Sequence, residues 1–332
     1  MNRKLKFLWI EDDPKRKKES ENIKERLKVD IKFINVKGKD LQKELNEVLS
    51  GDIPDLILMD HWLNDVANKG FKKGSTAAEV IRETWPECPI VCVTGQELRN
   101  IDSHKKSIYE EVVGFDNISD YYSTLLSIAN SFKELKKNCP QDVNDFIRAL
   151  KAPEDDKNRL KSILPNELKS KEMYQDKSGL LLNISKWVRH LLMRKPGFLY
   201  DRLWTATLLG LKEGSYKKVE HLFAEAKYSG IFLDENNERW WQSKVREILF
   251  LEFEESDSTY PWELGRKLPG IDKHDFSKCP HPERDHADPY TVAYTDEAAK
   301  ERVQMCLRHT VSHPCFEKSL FFEEIRMMKP AE

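Results

Sequence analysis

Five short apolar runs mark the first 136 residues, and most of them end on residues with chemistry of their own. Lys6-Phe7-Leu8-Trp9-Ile10 stops at acids, and Ile31 to Val36 gives a second run. Asp55-Leu56-Ile57-Leu58-Met59-Asp60 stops at an acid, Pro89-Ile90-Val91-Cys92-Val93-Thr94-Gly95 at a hydroxyl and a glycine, and Val112-Val113-Gly114-Phe115 is the fifth. Apolar runs that do not alternate with polar residues belong to strands covered on both faces, as in a parallel sheet. Helical segments fall between them. Pro14 precedes a charged helix containing Ile23 and Leu27, Thr76-Ala77-Ala78-Glu79 reads as a capping box opening a helix through Ile81 to Trp85, and Tyr121 to Leu135 is helical. The expected class for residues 1–136 is therefore α/β, a doubly wound parallel five-stranded sheet.

From residue 141 to 257 the period becomes helical. Leu180, Ile184, Trp187, Val188 and Leu191 make one stripe, and Val219, Leu222, Phe223 and Ala226 make a second after the N-cap Ser215, with Gly230 as its stop. Trp241, Val245, Ile248 and Leu249 make a third. A mainly helical region, a small bundle, is expected there. From 258 to 332 prolines and glycines return, and five of the nine histidines lie between His274 and His313. This stretch reads as a separate, small α+β tail.

Composition narrows the function classes. The 332 residues are 39% hydrophobic and 34% charged, with 55 basic against 57 acidic side chains and a formal charge of -2. A balanced charge excludes a polycation built to coat nucleic acid or anionic lipid. No apolar run reaches the roughly 18 residues needed to cross a bilayer, so a soluble, cytoplasmic chain is expected. Six unevenly placed cysteines do not form a disulfide framework.

In a doubly wound sheet, function gathers at the carboxyl ends of the strands. The chain places Glu11 and Asp12 after the first strand, Asp60 after the third and Thr94 after the fourth. Three carboxylates in one shallow site repel unless a hard divalent cation sits among them, and Mg²⁺ takes such oxygen ligands while keeping several waters. This order and spacing resembles the receiver domain of two-component response regulators, a bacterial signalling family, over about the first 135 residues. The resemblance implies Glu11 and Asp12 as a Mg²⁺-binding acid pair and Asp60 as both metal ligand and phospho-acceptor. It also implies the backbone carbonyl of Trp62 as a further metal ligand, Thr94 as the switch hydroxyl and Asp13 as a loop residue. A histidine kinase or another phosphodonor is the implied partner. The sequence departs from the family at the end of the fifth strand, where a lysine is usual: Val113-Gly114-Phe115-Asp116-Asn117 contains none, and Lys105 and Lys106 come too early. The loop from Trp62 to Gly70 is longer than the family norm. Metal binding survives these departures better than phosphorylation does, and a degenerate receiver used only as a docking surface is the main competitor.

The tail carries a second constellation. Cys279-Pro280-His281, then His286, then Cys306-Leu307-Arg308-His309 offer two knuckles of N and S ligands, a spacing that suits a tetrahedral Zn²⁺. Cys279, Cys306 and His309 would be joined by His281 or His286, with His313 and Cys315 as substitutes. Tyr290 to Tyr294 alternates like a hairpin strand, and helix signals follow at Ala298 to Arg302. The pattern is that of a treble clef or zinc ribbon, a structural zinc stapling a small module. A nuclease reading is disfavoured because Tyr290 to Tyr294 carries no histidine.

Two basic runs in the middle region, Arg189-His190 with Arg194-Lys195 and Lys212 with Lys217-Lys218, read as solvated faces. Tyr200 to Gly210 followed by Ser215 to Lys227 fits a helix-turn-helix, as any αα-hairpin does. The expected function is an atypical response-regulator-like signalling protein whose acidic pocket regulates a protein-binding output. A second copy of the chain is a further partner to consider. The alternatives are a DNA-binding regulator, or a metal-dependent hydrolase or nuclease with a vestigial receiver.

Overall fold

The computed structural model describes residues 3–64, 66–67, 73–95, 101–102, 106, 108–254, 256–279, 290–294 and 302–306. These residues gather into two compact units. The first comprises Met1–Phe146, Asn166–Lys186 and Ile231–Asn236, and the second Ile147–Pro165, Trp187–Gly230 and Asn237–Glu332.

The first unit is built on five strands, β1 (Lys6–Glu11), β2 (Asp30–Asn35), β3 (Leu56–Met59), β4 (Ile90–Thr94) and β5 (Glu111–Gly114). They pair in parallel in the order β2-β1-β3-β4-β5. This is the 2-1-3-4-5 doubly wound order, with its topological switch between β1 and β3. The apolar runs of β1, β3 and β4 are strands covered on both faces, and the edge strands β2 and β5 are only partly buried. Leu8, Ile10, Ile57, Met59, Ile90 and Cys92 share one core with residues of α2 (Leu41–Leu49) and α3 (Gly74–Thr84). The alternate residues Phe7, Trp9, Leu56, Leu58, Val91 and Val93 are equally buried. On their side lie α1 (Lys17–Leu27) and α4 (Tyr122–Lys137), which contact each other, and α4 also meets β3. The doubly wound receiver-like α/β fold expected from the sequence is thus present, and α4 starts one residue later than expected. The segment Ile231–Asn236 packs on α4: the Phe232 N–H donates to Ser131 Oγ at 2.6 Å, and Thr124 Oγ1 donates to Asp234 at 2.6 Å.

Local details differ from the pattern reading. Helix α3 opens at Gly74, not at the Thr76 capping box; Lys73 is its N-cap, without a side-chain hydrogen bond. The Gly74 N–H is instead satisfied by the His61 carbonyl at 2.8 Å, so tertiary pairing sets the start. Asp13 does more than occupy a loop: it caps the 3-10 turn Pro14–Arg16 by accepting from the Lys15 N–H. Helix α2, absent from the pattern reading, is capped by Asp40 and buries Leu41, Leu45 and Val48.

The second unit is mainly helical. Arg202–Leu208, Gln242–Glu252 and Pro261–Gly265 enclose a core that includes Tyr216, Val219, Phe223, Trp240, Val245 and Leu264. The expected helix from Ser215 is broken into Glu213–Tyr216, capped by Lys212, and a 3-10 segment Glu220–Ala226. Phe223 leaves helical geometry at φ -105 and ψ 21 as its ring enters the core, and the segment ends at Ala226, before Gly230. Leu191 and Leu222, expected in apolar stripes, are exposed. Trp241 is not in the third helix; Trp240–Trp241 pairs antiparallel with Leu199–Tyr200. Tyr290–Tyr294 is a strand as expected, and its partner is Arg302–Cys306, so Arg302 opens a strand instead of closing a helix. Val292 packs with Tyr200, Leu203 and Trp204, and an added strand there finds an apolar surface where a helix turn would not. No helix among the described residues is long and apolar enough to cross a membrane.

Candidate functional site

The pocket forms because two strand ends are level. Ile10 is the register partner of Met59, so the next residues, Glu11 and Asp60, stand side by side across β1 and β3. The Asp60 N–H donates to the Ile10 carbonyl at 3.1 Å, and the Val36 N–H to the Glu11 carbonyl at 2.9 Å, which pins both strand ends. Asn35, partner of Glu11 on β2, donates from Nδ2 to the Asp12 carbonyl at 3.3 Å and holds the loop over the site. Ligand oxygens of Glu11, Asp12 and Asp60 all lie within 4.8 Å of one another, the one group of three potential metal ligands among the described residues. Thr94, buried at the end of β4, is opposite Gly114 of β5 and beside the same crevice.

The electrostatics are those of an acid cluster short of positive charge. Glu11 is 0% exposed and Asp60 5%, and burial is the main force raising both carboxyls above their ordinary range. The Asp60 charge raises Glu11 further, and Asp12 raises both. Glu11 Oε1 accepts the backbone N–H groups of Asp12 and Asp13, each at 3.1 Å, and Oε2 accepts Arg16 Nη1 at 3.0 Å. Asp60 receives backbone N–H groups of His61 and Trp62, yet its Oδ1 is buried with no hydrogen-bond partner. A buried carboxylate oxygen without a partner is costly in a finished structure. An all-oxygen donor set with one unclaimed buried oxygen fits a hard divalent cation such as Mg²⁺.

Of the remaining expected ligands, Trp62 is placed by an isolated antiparallel bridge to Lys73. The Gly74 N–H to His61 carbonyl bond makes Trp62 and Lys73 the non-hydrogen-bonded pair of that bridge, so the bridge claims the carbonyl of His61 and not that of Trp62. Helix α3 comes close here: a Cβ on Gly74 would sit 2.0 Å from the Asp60 carbonyl oxygen, which only glycine tolerates.

Three neighbours of the pocket were not singled out by the pattern reading. Arg16 pairs with Glu11, and its guanidinium carbon lies 4.3 Å from the centroid of the Phe115 ring. His61 is 1% exposed and places Nδ1 at 3.3 Å from the Tyr109 hydroxyl. Gly74 is the third. Arg16 was legible in part, since Pro14 signals a tight turn that returns the chain toward Glu11.

The zinc constellation is not assembled among the described residues. Cys279 is half-buried, and the backbone of Cys306 ends the last strand. His281, His286 and His309, with His313 and Cys315, lie outside the described residues. The basic runs are not uniform solvated faces. Arg189 is buried, Lys218 pairs with Asp275 at 2.8 Å, and Lys212 donates to the His274 carbonyl at 2.6 Å. Those engagements leave less free charge for a phosphate backbone.

No family model matches the sequence, and no curated protein matches it. Solved structures do. The response regulator TrrA of Thermotoga maritima, in complex with Mg²⁺-BeF, is 20% identical over 36% of this chain and 98% of its own, with a TM-score of 0.29. The N-terminal domain of a response regulator/sensory box/GGDEF 3-domain protein of Carboxydothermus hydrogenoformans is 21% identical over 41% and 99%, with a TM-score of 0.33. A CheY-like receiver domain protein of Methanospirillum hungatei JF-1 is 14% identical over 40% and 98%, also at 0.33.

Proposed function

We propose that the first unit is an atypical receiver whose pocket holds a divalent cation, Mg²⁺ by preference, and takes a phosphoryl group on Asp60. The observation that carries this reading is the convergence of Glu11, Asp12 and Asp60 within 4.8 Å around an Asp60 Oδ1 that no protein group satisfies. Asp12 and Asp60, with the Trp62 carbonyl, would hold the cation, and Glu11 would orient it from behind. When bound, it supplies charge neutralisation that lets an anionic donor approach three acids.

The chain's own groups do the rest. Backbone N–H groups of His61 and Trp62 fix the Asp60 carboxylate, one oxygen of which would ligate the cation while the other attacks. The attacking oxygen would form the new bond to phosphorus while the donor's bond to phosphorus breaks, and the leaving group takes that electron pair. Thr94, buried at the end of β4, would hydrogen-bond the transferred group, bias the chain between two states and so regulate an output. Those helical residues of 141–257 that lie in the second unit are proposed as that output, acting on another protein, with a histidine kinase as the natural donor. Incubation with acetyl phosphate and MgCl₂ tests the reading by intact mass: the native chain gains one phosphoryl group and Asp60→Asn gains none. A native chain left unmodified by acetyl phosphate, by phosphoramidate and by beryllofluoride in the presence of Mg²⁺ would overturn it.

A further inference from the structure

We infer that Arg16 is the anion-binding cation of this pocket, delivered from the turn after β1 in place of a lysine after β5; the inference rests on the receiver reading above. Its position is the first argument. The guanidinium reaches from β1 across to the ends of β4 and β5. It donates to Glu11 Oε2 at 3.0 Å, lies over the ring of Phe115, the residue that follows β5, and presses on Gly95, the residue that follows Thr94. A Cβ on Gly95 would stand 2.5 Å from Arg16 Nη2, so the backbone at the end of β4 is bare where the guanidinium rests. The side chain is 15% exposed, shielded enough to act as a fixed charge yet open to the crevice.

Charge is the second argument. The stretch Phe115-Asp116-Asn117-Ile118 after β5 offers no cation. A guanidinium carries five donors in a planar fork that matches phosphate oxygens, and Glu11 takes only one of them at Nη1. Glu11 and Arg16 are each other's counter-charge in the resting pocket. A phosphoryl group on Asp60 brings about two negative charges and competes with Glu11 for the fork. Phe115 gives the departing guanidinium a face to slide on, and its move is felt at once by the strand end of β5.

An arginine that merely neutralises Glu11 behaves differently, and the two roles separate by sign. Titrate the full chain calorimetrically with MgCl₂ alone, and then with beryllofluoride in saturating MgCl₂. Removing a cation that competes for the carboxylates strengthens Mg²⁺ binding in Arg16→Ala, whereas beryllofluoride affinity falls roughly tenfold to a hundredfold, the worth of a charge-assisted hydrogen bond. Arg16→Lys recovers part of the beryllofluoride affinity. Gly95→Ala, which displaces the guanidinium without altering the pocket's charge, lowers it too, and these two variants decide the matter if Arg16→Ala does not fold. Beryllofluoride affinity unchanged in folded Arg16→Ala, or unchanged in Gly95→Ala and abolished in Arg16→Lys, overturns the role of Arg16 and leaves the receiver reading standing. A native chain that binds neither Mg²⁺ nor beryllofluoride removes both.

Discussion

Two buried acids in this chain are treated in opposite ways. Asp156, 1% exposed in the second unit, is closed off: Ser243 Oγ donates to Oδ2 and Arg159 Nη1 to Oδ1 at 3.3 Å. Asp60, 5% exposed in the first unit, has two like charges beside it and an oxygen with no partner. Folding alone accounts for Asp156, because a buried charge must be paired and hydrogen-bonded. It does not account for Asp60. What sets Asp60 apart is the combination: an oxygen with no partner, and two further carboxylates within 4.8 Å, an arrangement that a bound cation would complete.

The sharpest way to break this contrast is to remove each acid in turn. Asp156→Ala strands the Ser243 hydroxyl and opens a gap, and should cost about 2–3 kcal/mol in urea denaturation. Asp60→Asn removes like-charge repulsion and should leave stability unchanged or raise it by about 1 kcal/mol in the absence of Mg²⁺. Equal losses in both would mean that Asp60 is a structural acid after all.

Next in size is the contact that shapes the pocket from below. Gly74→Ala drives a methyl into the Asp60 carbonyl, backbone against helix, and neither can yield as a flexible side chain would. The expected loss is about 1–3 kcal/mol together with weaker Mg²⁺ binding, because α3 and the Asp60 loop must part. A helix-start glycine that was there only for its cap would lose stability and keep its Mg²⁺ affinity.

These cases show what the sequence could and could not disclose. The three central strands were legible because Leu56-Ile57-Leu58-Met59 and its counterparts in β1 and β4 are buried on both faces, whereas the edge strands β2 and β5 are only partly buried and carry a weaker signal. Glu11, Asp12, Asp60 and Thr94 were legible as strand-end residues; the structure brings the three acids within 4.8 Å of one another and ends β4 at Thr94. Arg16 was legible only as part of the turn that Pro14 signals, and Gly74 not at all, since their roles are set by approach across the sheet: a guanidinium over Phe115 and a carbonyl under a helix leave no local spacing to read. Helix α3 starting at Gly74 has the same origin. The Thr76 capping box was sound local chemistry overruled by the His61 carbonyl, which accepts the N–H of Gly74 and starts the helix two residues earlier. In the second unit the stripe through Val219, Phe223 and Ala226 correctly named core residues but not the helix, because a short 3-10 segment buries the same side chains.

A smaller effect follows from pH. Glu11 is raised from 4.5 to about 8 and Asp60 from 3.8 to about 6, so between those limits the folded chain holds protons that the unfolded chain has released. Stability then falls as pH rises through that window and levels off above it. The slope should flatten in Asp60→Asn and with saturating MgCl₂, and Mg²⁺ should raise the melting temperature more at the upper end of the window than at the lower. Asp156→Asn offers the control, since its acid is paired and its removal should leave the Mg²⁺ dependence intact. A melting temperature that rises with pH across the window without Mg²⁺ would contradict the acid-cluster account.

The smallest expected change in stability carries the longest reach. Thr94→Ala removes one buried hydroxyl and should cost about 1 kcal/mol or less. Thr94 is level with Gly114, the cap of the 3-10 turn Phe115–Tyr121 that leads into α4, and Tyr122 at the start of α4 donates its hydroxyl to Glu19 of α1 at 2.6 Å. A group bound at Asp60 that draws Thr94 inward therefore pulls on α4 through a single strand end. It shifts a two-state equilibrium only by its difference in affinity for the two states, and one charge-assisted hydrogen bond offers about 1.5–3 kcal/mol, roughly a tenfold to hundredfold change. Hydrogen exchange over Tyr122–Lys137 and over the Ile231–Asn236 segment packed on it should change with beryllofluoride in the native chain and stay fixed in Thr94→Ala. If both segments keep their exchange rates while beryllofluoride is bound to the native chain, the pocket is isolated from α4 and binds its ligand without signalling through that helix.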